Sequence, residues 1–162
     1  MNSKKIAIIG LGYVGLPLAC AFAKKYNVIG FDINATRINE LTNNIDKTRE
    51  VTSEYLKNTQ RLSFTSNTND LAEANVFIIT VPTPIDDNNL PNMTPLIEAS
   101  QMLSKIIKIN DIVIYESTVY PGATEEVCIP ELEKSNLKLN KDFGVGYSPE
   151  RINPGDKLRT VE

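Results

Sequence analysis

Residues 5–15 read KIAIIGLGYVG, an apolar run that leads into three closely spaced glycines. The run Lys5 to Ile9 predicts a buried β-strand, and Gly10, Gly12 and Gly15 follow it in the G-x-G-x-x-G pattern. In this pattern the first glycine permits a tight turn, the second lets a pyrophosphate approach the backbone, and the third lets the next helix pack on the strand. The stretch therefore predicts a dinucleotide-binding βαβ unit, with a purely structural turn as the alternative.

An acidic residue follows the next predicted strand, Asn27–Phe31, in the position that such a unit requires. Asp32 comes about 20 residues after the glycines, where a carboxylate accepts hydrogen bonds from ribose hydroxyls. The same carboxylate would repel the 2′-phosphate of NADP, so it favours NAD. Arg37 lies nearby and could reverse this preference, or it could instead lie beside the adenine.

The rest of the chain continues the alternation of strands and helices. Helices are predicted after Asn34, from Thr94 as N-cap, and from Pro121, with a polar loop before the third strand. The further predicted strands are Arg61–Phe64, Val76–Val81, Asp111–Tyr115 and Phe143–Tyr147. Apolar strands that alternate with helices indicate a Rossmann-type α/β fold, a doubly wound parallel sheet with helices on both faces. Residues 1–162 are expected to form one such domain.

Composition excludes several classes of function. With 17 basic and 20 acidic residues and no run of either sign, the sequence predicts no nucleic-acid or membrane partner. Cys20 and Cys128 are far apart and the chain has no histidine, so we expect no metal site, no disulfide framework and a reducing, cytoplasmic setting. The missing histidine also excludes the base of lactate- and malate-type dehydrogenases, and no tyrosine precedes a lysine by four residues, as short-chain dehydrogenases require.

Polar side chains follow two later strands, where open α/β sheets bind their ligands. Pro82 and Thr83 follow the fourth strand in TVPTPIDD and form either a wall of the cofactor site or a simple strand terminator. Ser117 and Thr118 follow the fifth strand in YESTVYPGATEE, and their hydroxyls either face the nicotinamide or merely cap the next helix. Glu150 follows the sixth strand, where a lone glutamate is most often solvated.

Three motifs, GLGYVGLPLA, ESTVYPGATEE and SPERINPGD, occur in order along essentially the whole chain. Together they resemble the N-terminal domain of the UDP-glucose/GDP-mannose dehydrogenase family. Members of this family oxidise the C6 alcohol of a nucleotide sugar to a carboxylate in two hydride transfers to NAD, through a cysteine thioester. The resemblance implies NAD as cofactor, a UDP-sugar as substrate and a homodimeric full-length enzyme.

The resemblance also implies roles for individual residues. The pyrophosphate would lie on the glycine loop, formed by Gly10, Leu11, Gly12, Tyr13, Val14 and Gly15. Asp32 and Arg37 would lie at the adenosine ribose, and the nicotinamide half would be lined by Pro82, Thr83, Ser117 and Thr118. Thr118 and Glu150 would be catalytic, and Glu150 and Arg151 would contact the sugar.

Two departures from the family pattern refine this expectation. Pro154 stands where the UDP-glucose branch has a second glutamate, and PERINPGD resembles the branch that oxidises UDP-N-acetylglucosamine or UDP-N-acetylgalactosamine for bacterial capsule and O-antigen. The family's nucleophilic cysteine, catalytic lysine, central domain and UDP-binding domain would lie beyond Glu162, and neither Cys20 nor Cys128 has a nucleophile's position. We therefore expect an N-terminal domain that is inactive alone.

Two other functions fit parts of the pattern. The first is a stand-alone NAD-binding module without catalysis, which the missing nucleophile and lysine favour. The second is a phosphogluconate-type hydroxyacid dehydrogenase, which shares the cofactor fold but has a glycine-rich segment after the fifth strand, where this chain has ESTVYPG.

Overall fold

The computed structural model describes residues 4–85 and 90–149. Its strands are β1 Lys5–Ile9, β2 Asn27–Phe31, β3 Leu62–Thr65, β4 Val76–Ile79, β5 Ile112–Tyr115 and β6 Gly144–Tyr147. Its α-helices are α1 Gly15–Ala23, α2 Ala35–Thr42, α3 Ser53–Asn58, α4 Thr94–Ser104 and α5 Ile129–Leu132. All six strands are parallel and lie in the order β3-β2-β1-β4-β5-β6. This topology confirms the predicted Rossmann-type fold.

The sheet has a separate hydrophobic core on each face. Side chains of a strand alternate between the two faces, so Ile6 and Ile8 of β1 pack with α1, whereas Ala7 and Ile9 pack with α4. Each fully buried isoleucine contributes about 1.5–3 kcal/mol relative to an exposed one. Burial on both faces explains why the strands read as continuous apolar runs.

One helix was missed by the sequence prediction. Residues 53–58, expected to be polar loop, form α3. Thr52 caps this helix because its Oγ1 accepts a hydrogen bond from the Tyr55 N–H at 3.2 Å, and Leu56 is buried beneath it. A six-residue helix with one buried side chain has too few apolar positions to show a helical period.

Two predicted helix starts were also wrong. A helix cannot begin at Pro121, because the next residue, Gly122, has φ of +92°, and the helical segment instead starts with a π-turn at Thr124–Cys128 that leads into α5. Thr94 is not an N-cap but the first residue of α4, and its N–H donates to Asn92 Oδ1 at 3.0 Å.

No helix within residues 4–85 and 90–149 is long and apolar enough to cross a bilayer.

Candidate functional site

A cleft of about 1000 Å³ opens over the carboxyl ends of β1, β4 and β5. Its walls include residues 10–14 of the glycine loop, Asp32 after β2, residues 81–83 after β4 and residues 116–118 after β5. Strand order reverses between β1 and β4, and the helices that follow these two strands cover opposite faces of the sheet. The cleft therefore lies at the topological switch point, where open α/β sheets bind ligands.

The three glycines of the loop meet different constraints. A Cβ on Gly15 would lie 1.9 Å from the Gly10 carbonyl oxygen and 2.5 Å from Thr80 Oγ1, so the protein's own backbone requires glycine there. Gly10 has a φ of +97°, a backbone conformation that residues other than glycine rarely adopt. A Cβ on Gly12 would meet no atom within 4 Å. The packing of the fold therefore does not require glycine at position 12, and the missing side chain leaves open space beside the loop.

The glycine loop leads directly into the N-terminus of α1, which begins at Gly15. Within the described part of the chain, no side chain caps this helix, which begins after Val14. The first N–H groups of a helix lack intrahelical acceptors and, with the helix dipole, favour an anion. An uncapped helix start beside the space over Gly12 fits a pyrophosphate.

Asp32 is held in a fixed orientation at the end of β2. Its Oδ2 accepts a hydrogen bond from Leu11 N–H and its Oδ1 accepts one from Asn34 N–H, both at 2.9 Å. A carboxylate offers about four acceptor sites, so Asp32 retains capacity for ribose hydroxyls. The adjacent Ile33 is 82% exposed and also lines the cleft, giving this end an apolar surface that sequence reasoning missed.

Arg37 is not brought to the cleft with the other predicted cofactor residues. Its side chain is only 11% exposed, its Nε donates to the Leu11 carbonyl at 2.9 Å, and its Nη2 lies 2.8 Å from Asp46 Oδ1. It is absent from the described residues that line the cleft. A direct contact between Arg37 and the adenosine ribose stays a prediction, and in this conformation the guanidinium supports the loop from beneath.

Two hydroxyls join the loops that follow β4 and β5. Thr83 Oγ1 donates to the Thr118 carbonyl at 2.6 Å, and Ser117 Oγ donates to the Val81 carbonyl at 2.7 Å. Because each hydroxyl proton is used inside the protein, each oxygen can only accept a hydrogen bond from a ligand. The helical segment that begins at Thr124 has no side-chain cap, so the alternative in which Ser117 or Thr118 merely caps the next helix is wrong.

Sequence reasoning also missed Thr80, which lies directly under the glycine loop. Its side chain is buried, and its Oγ1 lies 2.7 Å from the Gly10 carbonyl oxygen and 3.1 Å from that of Ile9. A hydroxyl has one proton to donate, and the shorter contact identifies Gly10 as its acceptor. The sequence signal that could have identified Thr80 is a threonine at the end of an otherwise apolar predicted strand.

Both cysteines are free and buried. Burial, with a smaller contribution from Asp46, raises the pKa of Cys20 to about 12. Burial also raises the pKa of Cys128, although hydrogen bonds with Ser100 and Tyr115 oppose the shift. Both thiols therefore stay protonated at neutral pH, which agrees with the expectation that neither is a nucleophile.

Glu150 and Arg151, the predicted sugar-contacting residues, lie outside the described residues. The catalytic role of Glu150 therefore stays a prediction. Among residues 4–85 and 90–149, no three Cys, Asp or Glu side chains are grouped so that they could hold a metal ion.

Comparison with known proteins identifies the relatives of this chain. Residues 4–161 match the UDP-glucose/GDP-mannose dehydrogenase family, NAD binding domain. The chain is 61% identical to UDP-N-acetyl-D-glucosamine 6-dehydrogenase of Pseudomonas aeruginosa and 60% identical to Protein CapL of Staphylococcus aureus, in each case over 99% of this chain and 38% of the relative. Its fold matches the solved UDP-D-ManNAc dehydrogenase of Pyrococcus horikoshii with a TM-score of 0.86 at 35% identity, covering 93% of this chain and 37% of that one.

Proposed function

Because the chain belongs to the UDP-glucose/GDP-mannose dehydrogenase family and matches its NAD-binding domain, we propose that it supplies the cofactor site of a UDP-sugar 6-dehydrogenase. The observation that carries the proposal is the switch-point cleft, whose walls combine the glycine loop, Asp32 and the joined loops after β4 and β5. The chain spans 38% of the length of the P. aeruginosa and S. aureus relatives. The activity of a whole enzyme, with central and UDP-binding domains beyond these residues, is thus part of the proposal.

Each group in the cleft has a distinct task in this proposal. The glycine loop and the α1 N-terminus bind the pyrophosphate, and Asp32 accepts hydrogen bonds from the adenosine ribose hydroxyls. The oxygens of Thr83 and Ser117 accept hydrogen bonds from the carboxamide of the nicotinamide. NAD, when bound, accepts the hydride that leaves C6 of the sugar.

The catalytic assignments rest on the family pattern. Thr118 follows β5 at the edge of the cleft, where its hydroxyl orients the water or alcohol at C6. Glu150 acts with Thr118 on the same atoms, and Arg151 contacts the sugar.

The proposed substrate is UDP-N-acetylglucosamine or UDP-N-acetylgalactosamine. Two observations support this choice: the name of the P. aeruginosa relative, and Pro154 in place of the second glutamate of the UDP-glucose branch. We also propose a homodimeric enzyme of capsule or O-antigen synthesis in the cytoplasm, a reducing compartment that suits two free, buried cysteines.

A second candidate is a stand-alone NAD-binding module without catalysis. It is favoured by the burial of both cysteines, whose raised pKa values leave no described thiolate to trap an aldehyde. The two candidates share cofactor binding and differ in turnover.

Turnover is tested by following NADH absorbance with UDP-N-acetylglucosamine, UDP-N-acetylgalactosamine and UDP-glucose. The 162-residue chain is expected to bind NAD but form no NADH, because orientation of C6 against the nicotinamide, which can be worth about 7–11 kcal/mol of barrier, needs sugar contacts outside these residues. The longest polypeptide encoded with this domain is expected to oxidise the N-acetylated sugars, and to lose activity with Glu150→Gln or Thr118→Ala.

Three results would contradict parts of this account. A strong preference for UDP-glucose would overturn the substrate assignment. No turnover by the longer polypeptide with any UDP-sugar would favour the non-catalytic module. Steady NADH formation by the 162-residue chain would refute the need for further domains.

A further inference from the structure

The peptide group that joins Gly10 to Leu11 is held from both sides. Its carbonyl oxygen, which belongs to Gly10, lies 2.7 Å from Thr80 Oγ1. Its N–H, which belongs to Leu11, donates to Asp32 Oδ2 at 2.9 Å. The carbonyl and the N–H of a planar trans peptide point in opposite directions, and none of the described peptides is cis. A hydroxyl under the glycine loop and a carboxylate at the end of β2 therefore fix the orientation of the same peptide plane.

The hydroxyl of Thr80 is committed to this peptide. The backbone N–H of Thr80 already donates to the Ile9 carbonyl at 2.9 Å, next to the paired residues of β1 and β4. The hydroxyl proton is thus left for the closer Gly10 carbonyl. Thr80 is only 7% exposed, so water competes little for this hydrogen bond.

The orientation of Asp32 depends on the same peptide. Glycine populates positive and negative φ about equally readily, so Gly10 does little by itself to fix the plane of the peptide that follows it. The Asp32 carboxylate is oriented by two hydrogen bonds, one from Leu11 N–H and one from Asn34 N–H. Rotation of the peptide plane would remove the first of these bonds and leave the carboxylate free to turn.

We propose that Thr80 is a positioning residue for Asp32. Its hydroxyl acts through the Gly10–Leu11 peptide and holds the carboxylate in the orientation that receives the ribose hydroxyls. Donation to the carbonyl also polarises the peptide, which strengthens the hydrogen bond that its N–H makes. The end of β4 is thereby coupled to the end of β2, although β1 lies between these strands in the sheet. The inference rests on the proposed NAD site and adds to it a residue that acts through another.

The test measures the ribose contact separately from overall binding. Its readout is the dissociation constant of 2′-deoxy-NAD, which lacks the 2′-hydroxyl of the adenosine ribose, divided by that of NAD. Calorimetry on the 162-residue chain is expected to give a ratio of roughly ten or more, because the missing hydrogen bond is one to a charged group. In Asp32→Ala the ratio is expected to fall to about one, since the acceptor is gone.

Thr80→Ser and Thr80→Ala form a matched pair, because both lack the methyl group and only serine keeps the hydroxyl. Thr80→Ser is expected to keep the parent ratio. Thr80→Ala is expected to lower the ratio roughly threefold or more, mainly through weaker binding of NAD. When Asp32→Ala is also present, the two variants should give the same ratio, because a positioning residue has no further effect once the group that it positions is removed.

The outcomes separate this inference from the proposed function. If the parent chain does not bind NAD, the proposed cofactor site fails. If the parent binds NAD and Thr80→Ala weakens NAD and 2′-deoxy-NAD equally, Thr80 is merely structural and the inference is overturned. Thr80→Val is a second variant without the hydroxyl, for use if Thr80→Ala does not fold. Failure of both to fold would show that the hydroxyl supports the fold itself, and this would also overturn the inference.

Discussion

Replacing Gly12 with valine is expected to abolish NAD binding while the protein stays folded. A Cβ at this position meets no protein atom within 4 Å, and the backbone of Gly12 is outside the left-handed region, so the fold accommodates a side chain. Gly12 lines the cleft, and valine would fill the open space beside its backbone, where the pyrophosphate is proposed to approach. Calorimetry should detect no heat of binding at NAD concentrations that saturate the parent.

The stability of this variant is the control. Its free energy of unfolding, from urea titration, should lie within about 0.5 kcal/mol of the parent value, as for most substitutions that touch nothing. Gly12→Ala, with a smaller side chain, should weaken NAD binding less. Undiminished binding by Gly12→Val would show that the pyrophosphate does not lie over this glycine.

Replacing Gly15 with alanine is expected to cause a large loss of stability, unlike the replacement of Gly12. The added Cβ would lie 1.9 Å from the Gly10 carbonyl oxygen and 2.5 Å from Thr80 Oγ1, so α1 must move away from the loop that follows β1. Overpacking commonly costs about 1–3 kcal/mol, and more where the obstructing atom is backbone. We expect a loss of about 3 kcal/mol or more, a large part of the roughly 5–15 kcal/mol that stabilises a typical domain.

Gly12→Ala is the matched comparison, because it makes the same chemical change three residues earlier in the same loop. Urea unfolding of the two variants should give a near-parent midpoint for Gly12→Ala and a much lower one for Gly15→Ala. Equal midpoints would mean that the close packing of α1 on the loop is not needed for stability.

The strands were predictable because burial on both faces of the sheet leaves a strong signal in the sequence. Each of the six predicted strands is present, with ends shifted by at most two residues, and β4 ends at Ile79, two residues before the predicted Val81. The glycine loop was predictable too, since spacing and strand context carry its chemistry. Local sequence was therefore sufficient to predict the fold class and the position of the glycine loop after β1.

The contacts that complete the site could not be read from local sequence. Thr83 binds the Thr118 carbonyl across 35 residues, and Thr80 reaches Gly10 across 70. Arg37 and Asp46 are closer in the chain, but their pairing depends on how the loop after α2 folds back. Such contacts are set by strand order and loop conformation, which hydrophobic periodicity does not describe.

Titration of the 162-residue chain with NAD and NADP tests the central claim most directly. The account predicts saturable binding of one NAD per chain and weaker binding of NADP, because a 2′-phosphate would meet the Asp32 carboxylate. Failure to bind NAD, or binding of NADP as tight as or tighter than that of NAD, would contradict it.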